Sequence, residues 1–139
     1  TSLTPRQKEV LELVILGFTD TEIGDKLGIS NDSARNHAIS LLNKLTALSR
    51  TELIVIALSE NLVNKEWLKT KLADRVALLQ TLSDTDKKIL EMAATEPDNR
   101  LIANDLLISK RTVENNLTKI YDKLGVRNRQ EAVLIHLLA

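Results

Sequence analysis

Apolar side chains recur at helical spacing in four stretches of the first part of the chain, and each stretch begins just after a small polar residue that can cap a helix. A first helix is predicted over residues 5–16, with proline at its first position. A short second helix ends at Gly28, which can adopt the left-handed conformation. A third helix follows Ser30 and a fourth follows Ser49. The pattern therefore predicts four helices, with a tight turn between the second and the third.

The same pattern returns 79 residues later along the chain. Residues 3–58 align with residues 82–137 without a gap, and 15 of the 56 paired positions are identical. Many other paired apolar positions differ by conservative exchanges such as Val10 for Ile89. Self-similarity at a fixed period indicates two copies of one structural unit. The predicted fold class is all-α, with two tandem four-helix domains.

The segment between the copies, residues 63–81, contains neither proline nor glycine, so a flexible tether is not expected. Its apolar residues have the spacing of an amphipathic helix that starts near Asn64: Leu68, Leu72, Val76 and Leu79. We therefore predict a first domain over 1–62, a helical connector over 63–81 and a second domain over 82–139. A wholly helical stretch over 59–81 would span about 35 Å. The apolar stripe is either a dimer seam or a face that folds back on the copies.

Composition excludes several classes of function. The chain has no cysteine and only two histidines, so disulfides, thiolate metal sites and histidine metal clusters are not expected. Aromatic residues make up only 2%, too few for the stacking platforms that bind single-stranded nucleic acid. No apolar run is long enough to cross a bilayer, which predicts a soluble, cytoplasmic protein. The chain starts with threonine rather than methionine, so whether a sensory or receiver portion precedes it is left open.

Charge is balanced overall, with 19 basic and 19 acidic side chains, but it is unevenly distributed. Residues 106–131 carry six basic and three acidic side chains, a net charge of +3. The equivalent residues 27–52 carry three basic and two acidic side chains, a net charge of +1. Because contacts to phosphate supply most of the sequence-independent affinity for DNA, the second copy is the better candidate for DNA binding.

A short helix, a three-residue turn and a longer helix with a polar start have the geometry of a helix-turn-helix unit. In the second copy, the hydroxyls of Ser109 and Thr112 are placed to donate to phosphate. Asn115 and Thr118 lie away from the apolar stripe, where an amide and a hydroxyl could contact base edges. Glu114 lies beside them and could either accept from cytosine N4 or repel phosphate.

These residues carry a resemblance to a known family. Residues 3–11, with Leu27-Gly28-Ile29-Ser30 and Asn36-His37, resemble the LuxR/GerE-type DNA-binding domain. Residues 108–117 and 120–129 resemble it at least as closely. The two copies together cover about four-fifths of the chain.

The resemblance implies a bacterial transcription regulator whose third helix enters the major groove of double-stranded DNA and whose fourth helix commonly mediates dimerisation. Carried over by position, the base-contacting residues are Glu114, Asn115 and Thr118 in the second copy, and Arg35, Asn36 and Ile39 in the first. The phosphate-contacting residues are Ser109, Lys110, Arg111, Thr112, Lys119, Lys123 and Arg127. The implied partners are DNA and either a second copy of this chain or another LuxR-type protein, bound through the fourth helices or the connector. No cofactor is implied.

The first copy departs from this pattern at three positions. Ile39 is apolar where a polar base reader is expected, Asp32 adds negative charge at the helix start, and Leu48 stands where the second copy has Arg127. Whether the first copy binds DNA is therefore open.

Other residues admit plainer interpretations. His37 lies beside the apolar stripe, so packing is favoured over a proton switch, and His136 has no catalytic partner. Trp67 could anchor a partner or cover a domain core. No glycine-rich phosphate loop or catalytic constellation is present, so an enzyme is not predicted. The competing function is a protein interaction module that pairs with another LuxR-type regulator and binds little DNA itself.

Overall fold

The computed structural model describes residues 2–139, in which helices and turns account for the whole structure without a strand. The chain forms two compact units, one ending at Asn64 and the other beginning at Lys65. Each unit contains one copy of the repeat. The predicted all-α tandem is confirmed. None of the helices over the described residues is long and apolar enough to cross a membrane.

The first unit consists of four helices: α1 (Pro5–Ile15), α2 (Asp20–Leu27), α3 (Asn31–Lys44) and α4 (Arg50–Ser59). Each begins at the predicted polar cap, whose side-chain oxygen accepts from a backbone N–H in the first turn. Gly28 ends α2 with a φ of 67°, as its position predicts. The core is built from aliphatic side chains, among them Val10, Leu11, Ile23, Leu41 and Leu53.

The second unit repeats this arrangement in α7 (Asp84–Ala93), α8 (Asn99–Leu106), α9 (Lys110–Leu124) and α10 (Arg129–Leu138). The predicted caps again accept from first-turn N–H groups: Ser83, Asp98, Ser109 and Asn128. Three further pieces precede the repeat: α5 (Lys65–Lys71), α6 (Ala73–Ala77) and a 3-10 helix (Leu78–Thr81).

The connector is helical, but it is not the single amphipathic helix that its spacing predicts. The helix breaks at Leu72, where φ is −109° and ψ is 15°. Leu68 and Leu72 are buried, and α5 and α6 pack against α10 within the second unit. A continuous 35 Å helix is therefore not formed, because the apolar stripe is used to cover the core of the second unit.

This cover makes the two fourth helices different. Leu134 and Ile135 of α10 are buried, whereas Val55 and Ile56, at the equivalent positions of α4, are half-buried. Trp67 of α5 remains 44% exposed, with the Lys71 ammonium 5.0 Å from the centre of its ring. The connector therefore packs against α10 with its leucines buried, while its tryptophan faces solvent in part.

An arginine anchors the start of the fourth helix in both units. Arg50 bonds the carboxylate of Asp20 at 2.7 Å. Arg129, at the equivalent position, donates to the amide oxygen of Asn99 at 2.7 Å and to the backbone carbonyls of Ala93 and Glu96. Partial burial lowers the pKa of Arg129 from its ordinary value, and the nearby acid Glu96 opposes that shift. The fourth helix is thus held to the start of the second helix in each unit.

Candidate nucleic-acid interface

The candidate interface is the outward face of α9, and the sequence around Ser109 determines how that helix begins. Ser109 accepts from the backbone N–H of Thr112 at 3.0 Å, and the two hydroxyls are 2.8 Å apart. This cap stabilises the first turn and leaves backbone N–H groups at an exposed helix N-terminus, a favourable place for an anion.

The buried stripe of α9 fixes which side chains point outward. Val113, Leu117, Ile120 and Leu124 are buried in the second unit. Each predicted DNA-contacting residue of the second copy is exposed, on α9 itself or directly beside it. They are Ser109, Lys110, Arg111, Thr112, Glu114, Asn115, Thr118, Lys119, Lys123 and Arg127. The fold thus gathers them on one helix and its flanking turns.

Three of the predicted phosphate contacts also form ion pairs within the second unit. Lys110 lies 3.5 Å from Glu114, one turn later on α9. Lys123 lies 3.6 Å from the largely buried carboxylate of Asp86 on α7. Arg127 contacts Glu131 through its side chain at 3.1 Å and through its backbone N–H at 2.7 Å. Part of their charge is therefore neutralised by carboxylates.

Two other cations on α9 differ in this respect. Among the side chains of residues 2–139, neither Arg111 nor Lys119 has a hydrogen-bond or ion-pair partner, and both are exposed. An exposed cation without an internal partner loses little on meeting a phosphate. These two side chains are the most available positive charges of the candidate interface.

The contact of Lys123 is repeated in the first unit and was missed at the level of the sequence. Lys44 donates to the side-chain oxygen of Gln7 at 3.2 Å, and Gln7 is the counterpart of Asp86. In both units, the lysine near the end of the third helix therefore ties that helix to the first. The only sign of this contact in the sequence was that both copies have lysine at this position, Lys44 and Lys123. The shared contact with the first helix explains that identity.

The hydroxyl of Thr118 was expected to contact a base edge, but in the structure it bonds to the helix backbone. Its Oγ1 donates to the backbone carbonyl of Glu114 at 3.1 Å, so the proton is held by the helix. Asn115 lies three positions before Thr118, on the same helical surface. The Asn115 amide therefore remains a candidate for hydrogen bonds to a base, whereas the Thr118 hydroxyl already donates its proton within the helix.

The outward face of α3 in the first unit has a different character. Arg35 and Asn36 are exposed, but Arg35 lies within 3.8 Å of Asp20 and 3.9 Å of Asp32. Ile39 is 47% exposed and Leu48 is 90% exposed. The positions equivalent to Lys110, Arg111, Lys119 and Arg127 are occupied by neutral or acidic residues: Asn31, Asp32, Ser40 and Leu48. The two outward faces differ most in positive charge.

The described residues offer little for other chemistry. An open depression of about 550 Å³ lies between the starts of α8 and α9, and its lining includes Arg100 and Glu114. Asp98 at its edge bonds Arg100, which lowers the pKa of the aspartate. Within residues 2–139, no group of three or more potential ligands is placed to hold a metal ion. Both histidines are half-buried.

Comparison with known proteins points to one family. The family model described as "Bacterial regulatory proteins, luxR family" matches residues 1–57 and 80–136. No solved structure gives a significant match.

Several curated proteins resemble parts of the chain. Transcriptional regulatory protein ComA of Bacillus subtilis is 43% identical over 61 residues, which cover 44% of this chain and 28% of ComA. The probable transcriptional regulator ycf29 of Pyropia yezoensis is 38% identical over 64 residues, which cover 46% of this chain and 29% of that protein. Transcriptional regulatory protein LiaR of Bacillus subtilis is 40% identical over 63 residues, which cover 45% of this chain and 30% of LiaR. The match therefore spans less than a third of each relative.

Proposed function

Since the chain belongs to the luxR family of bacterial regulatory proteins, we propose that it is a sequence-specific transcription regulator that binds double-stranded DNA. The recognition helix is α9, inserted in the major groove. The proposal rests on one observation: on the outward face of α9, exposed polar side chains that could contact bases lie between exposed cations. Its relatives are named as transcriptional regulators, which supports the same function. Such a role places the protein in the cytoplasm.

The proposed contacts divide by chemistry. Glu114, Asn115 and Thr118 face the base edges, while the hydroxyls and cations around them contact phosphate. Arg111 and Lys119 supply most of the net positive charge that meets phosphate, because the other cations of this face are paired with carboxylates. Arg35 and Asn36 of the first unit make weaker contacts, because their surroundings lack comparable positive charge.

Any dimer formed through a fourth helix would use α4 rather than α10. α5 and α6 pack against α10, on which Leu134 and Ile135 are buried, so a partner helix on that side of α10 would have to displace them. Val55 and Ile56 of α4 are covered less completely.

Two matched substitutions test the assignment of the reading helix. Asparagine can form a bidentate contact with adenine, and the loss of such a contact costs about 1–3 kcal/mol. We expect Asn115→Ala to lower the affinity of the full chain for its selected duplex by about tenfold or more, and Asn36→Ala to have a much smaller effect. Gel-shift titration measures both.

Equal losses in the two variants would show that the first unit reads DNA as strongly as the second. The competing function, an interaction module for another LuxR-type regulator, has a different signature. It requires retention on a protein partner that is insensitive to salt, together with no DNA shift even at low salt.

A further inference from the structure

The side chain of Thr118 carries an inference about which base α9 recognises, and this inference rests on the proposed function. Thr118 is exposed on the outward face, one turn after Glu114 and three positions after Asn115. In the proposed function, this face of α9 meets the base edges of the major groove. Its chemistry therefore bears on sequence preference.

The hydroxyl proton of Thr118 is committed to the helix. Oγ1 lies 3.1 Å from the carbonyl oxygen of Glu114 and donates to it. Threonine has only one hydroxyl proton, so donation to a base would require this bond to break. Without breaking it, Thr118 can present its γ-methyl and the acceptor lone pairs of Oγ1, but it cannot donate.

The first unit has a wholly apolar side chain at the equivalent position. Ile39 aligns with Thr118, is 47% exposed, and offers only hydrocarbon. Both copies of the repeat thus place an apolar group at this point of the third helix. Ile39, which is apolar where a polar base-contacting residue was expected, therefore fits an apolar contact at this position in both copies.

We propose that Thr118 recognises thymine by apolar contact between its γ-methyl and the thymine C5-methyl. In the major groove thymine alone among the four bases presents a methyl group, so an apolar contact there discriminates by itself. Although threonine is a polar residue that often forms hydrogen bonds with bases, the proposed contact of Thr118 is made by its methyl group, because its hydroxyl donates to Glu114.

The test replaces single thymines with deoxyuridine, which removes only the C5-methyl group. The full chain is first used to select a duplex from a random library, and each thymine in the selected site is then replaced in turn. We expect one replacement to weaken binding about fourfold, the effect of roughly one buried methyl group. Two variants then identify the protein side of the contact.

Thr118→Val keeps the methyl group and removes the hydroxyl, whereas Thr118→Ser keeps the hydroxyl and removes the methyl. We expect Thr118→Val to retain the preference for thymine over deoxyuridine at that position, and Thr118→Ser to bind the two duplexes equally. Circular dichroism on both variants checks that the helix content of the chain is retained.

The opposite result would overturn the inference. If Thr118→Ser retains the preference, or if Thr118→Val loses it, the methyl contact is not made by Thr118. A selected duplex in which no thymine responds to deoxyuridine would also overturn the inference while leaving the proposed function standing. Failure to select any duplex would instead refute the proposed function, and the inference with it.

Discussion

Leu107 occupies a backbone conformation that favours glycine. It ends α8 with a φ of 57° and is 91% exposed, whereas the equivalent Gly28 has a φ of 67°. The situation is reversed after the third helix, where Gly125 adopts a φ of 67° and Thr46 a φ of 56°. Of these two turns, each unit thus has one with glycine and one strained by a side chain.

At the turn after the second helix, replacing Leu107 by glycine and replacing Gly28 by leucine should change the free energy of unfolding in opposite directions. A side chain in the left-handed region costs about 1–2 kcal/mol, and glycine loses part of that advantage through entropy. We expect Leu107→Gly to stabilise the second unit by about 1 kcal/mol, because the exposed leucine contributes little burial. Urea unfolding followed by circular dichroism measures the change.

Gly28→Leu is the matched control. Apart from Gly28 itself and its two chain neighbours, no atom lies within 4 Å of a Cβ built there, so the expected destabilisation of about 1 kcal/mol is conformational rather than steric. Stabilisation by Gly28→Leu would contradict this explanation.

At the level of helices, local signals made most of the fold predictable. Every cap predicted from a serine, threonine, aspartate or asparagine lies where the sequence places it, because capping depends on residues only two or three positions apart. The break at Leu72 could not be predicted from the spacing of the apolar residues, which continues across it, and the two pieces that it separates both pack against α10, far along the chain. The same is true of the pair between Lys123 and Asp86, which joins different helices.

The outward residues of α9 could also be predicted, since they follow from the position of the apolar stripe. Their internal partners could not. The ion pairs of Lys110 and Arg127 and the hydroxyl bond of Thr118 depend on rotamers, which periodicity does not specify.

Arg129 should be a major determinant of stability in the second unit. Its guanidinium joins the start of α10 to two backbone carbonyls and to Asn99, and an ammonium group cannot reproduce this forked geometry. We expect Arg129→Lys to lower the free energy of unfolding by about 2 kcal/mol, in the range of a hydrogen bond to a charged group. Arg50→Lys should cost less, since Arg50 has a carboxylate partner that an ammonium group can still bind. Equal losses in urea unfolding would contradict this difference.

The connector should contribute to the stability of the second unit. Leu68 is 1% exposed, and replacement of a buried leucine by alanine costs about 2–5 kcal/mol. We expect Leu68→Ala to lower the unfolding free energy by this amount. Leu78→Ala, on the same segment at 38% exposure, is the control and should cost far less. Thermal unfolding distinguishes the two, and a Leu68→Ala variant as stable as the control would show that the connector does not stabilise the unit.

For the whole molecule, the distribution of charge matters more than the total. The net charge is zero, yet α9 carries exposed cations at positions where α3 has asparagine, aspartate and serine. Repetition of the fold therefore does not imply repetition of its affinity for phosphate. We infer that the first unit has retained the scaffold while the second provides most of the electrostatic contact with DNA.

The salt dependence of DNA binding by the full chain tests this account most directly. Removal of one cation that neutralises a phosphate should flatten the plot of log affinity against log salt by about 0.9. We predict that Arg111→Ala and Lys119→Ala each flatten the slope by about this amount, while Lys88→Ala, which removes the same charge from α7, leaves it unchanged. Equal slopes for the wild type and all three variants, with DNA still bound, would show that the outward face of α9 is not the surface that meets the duplex.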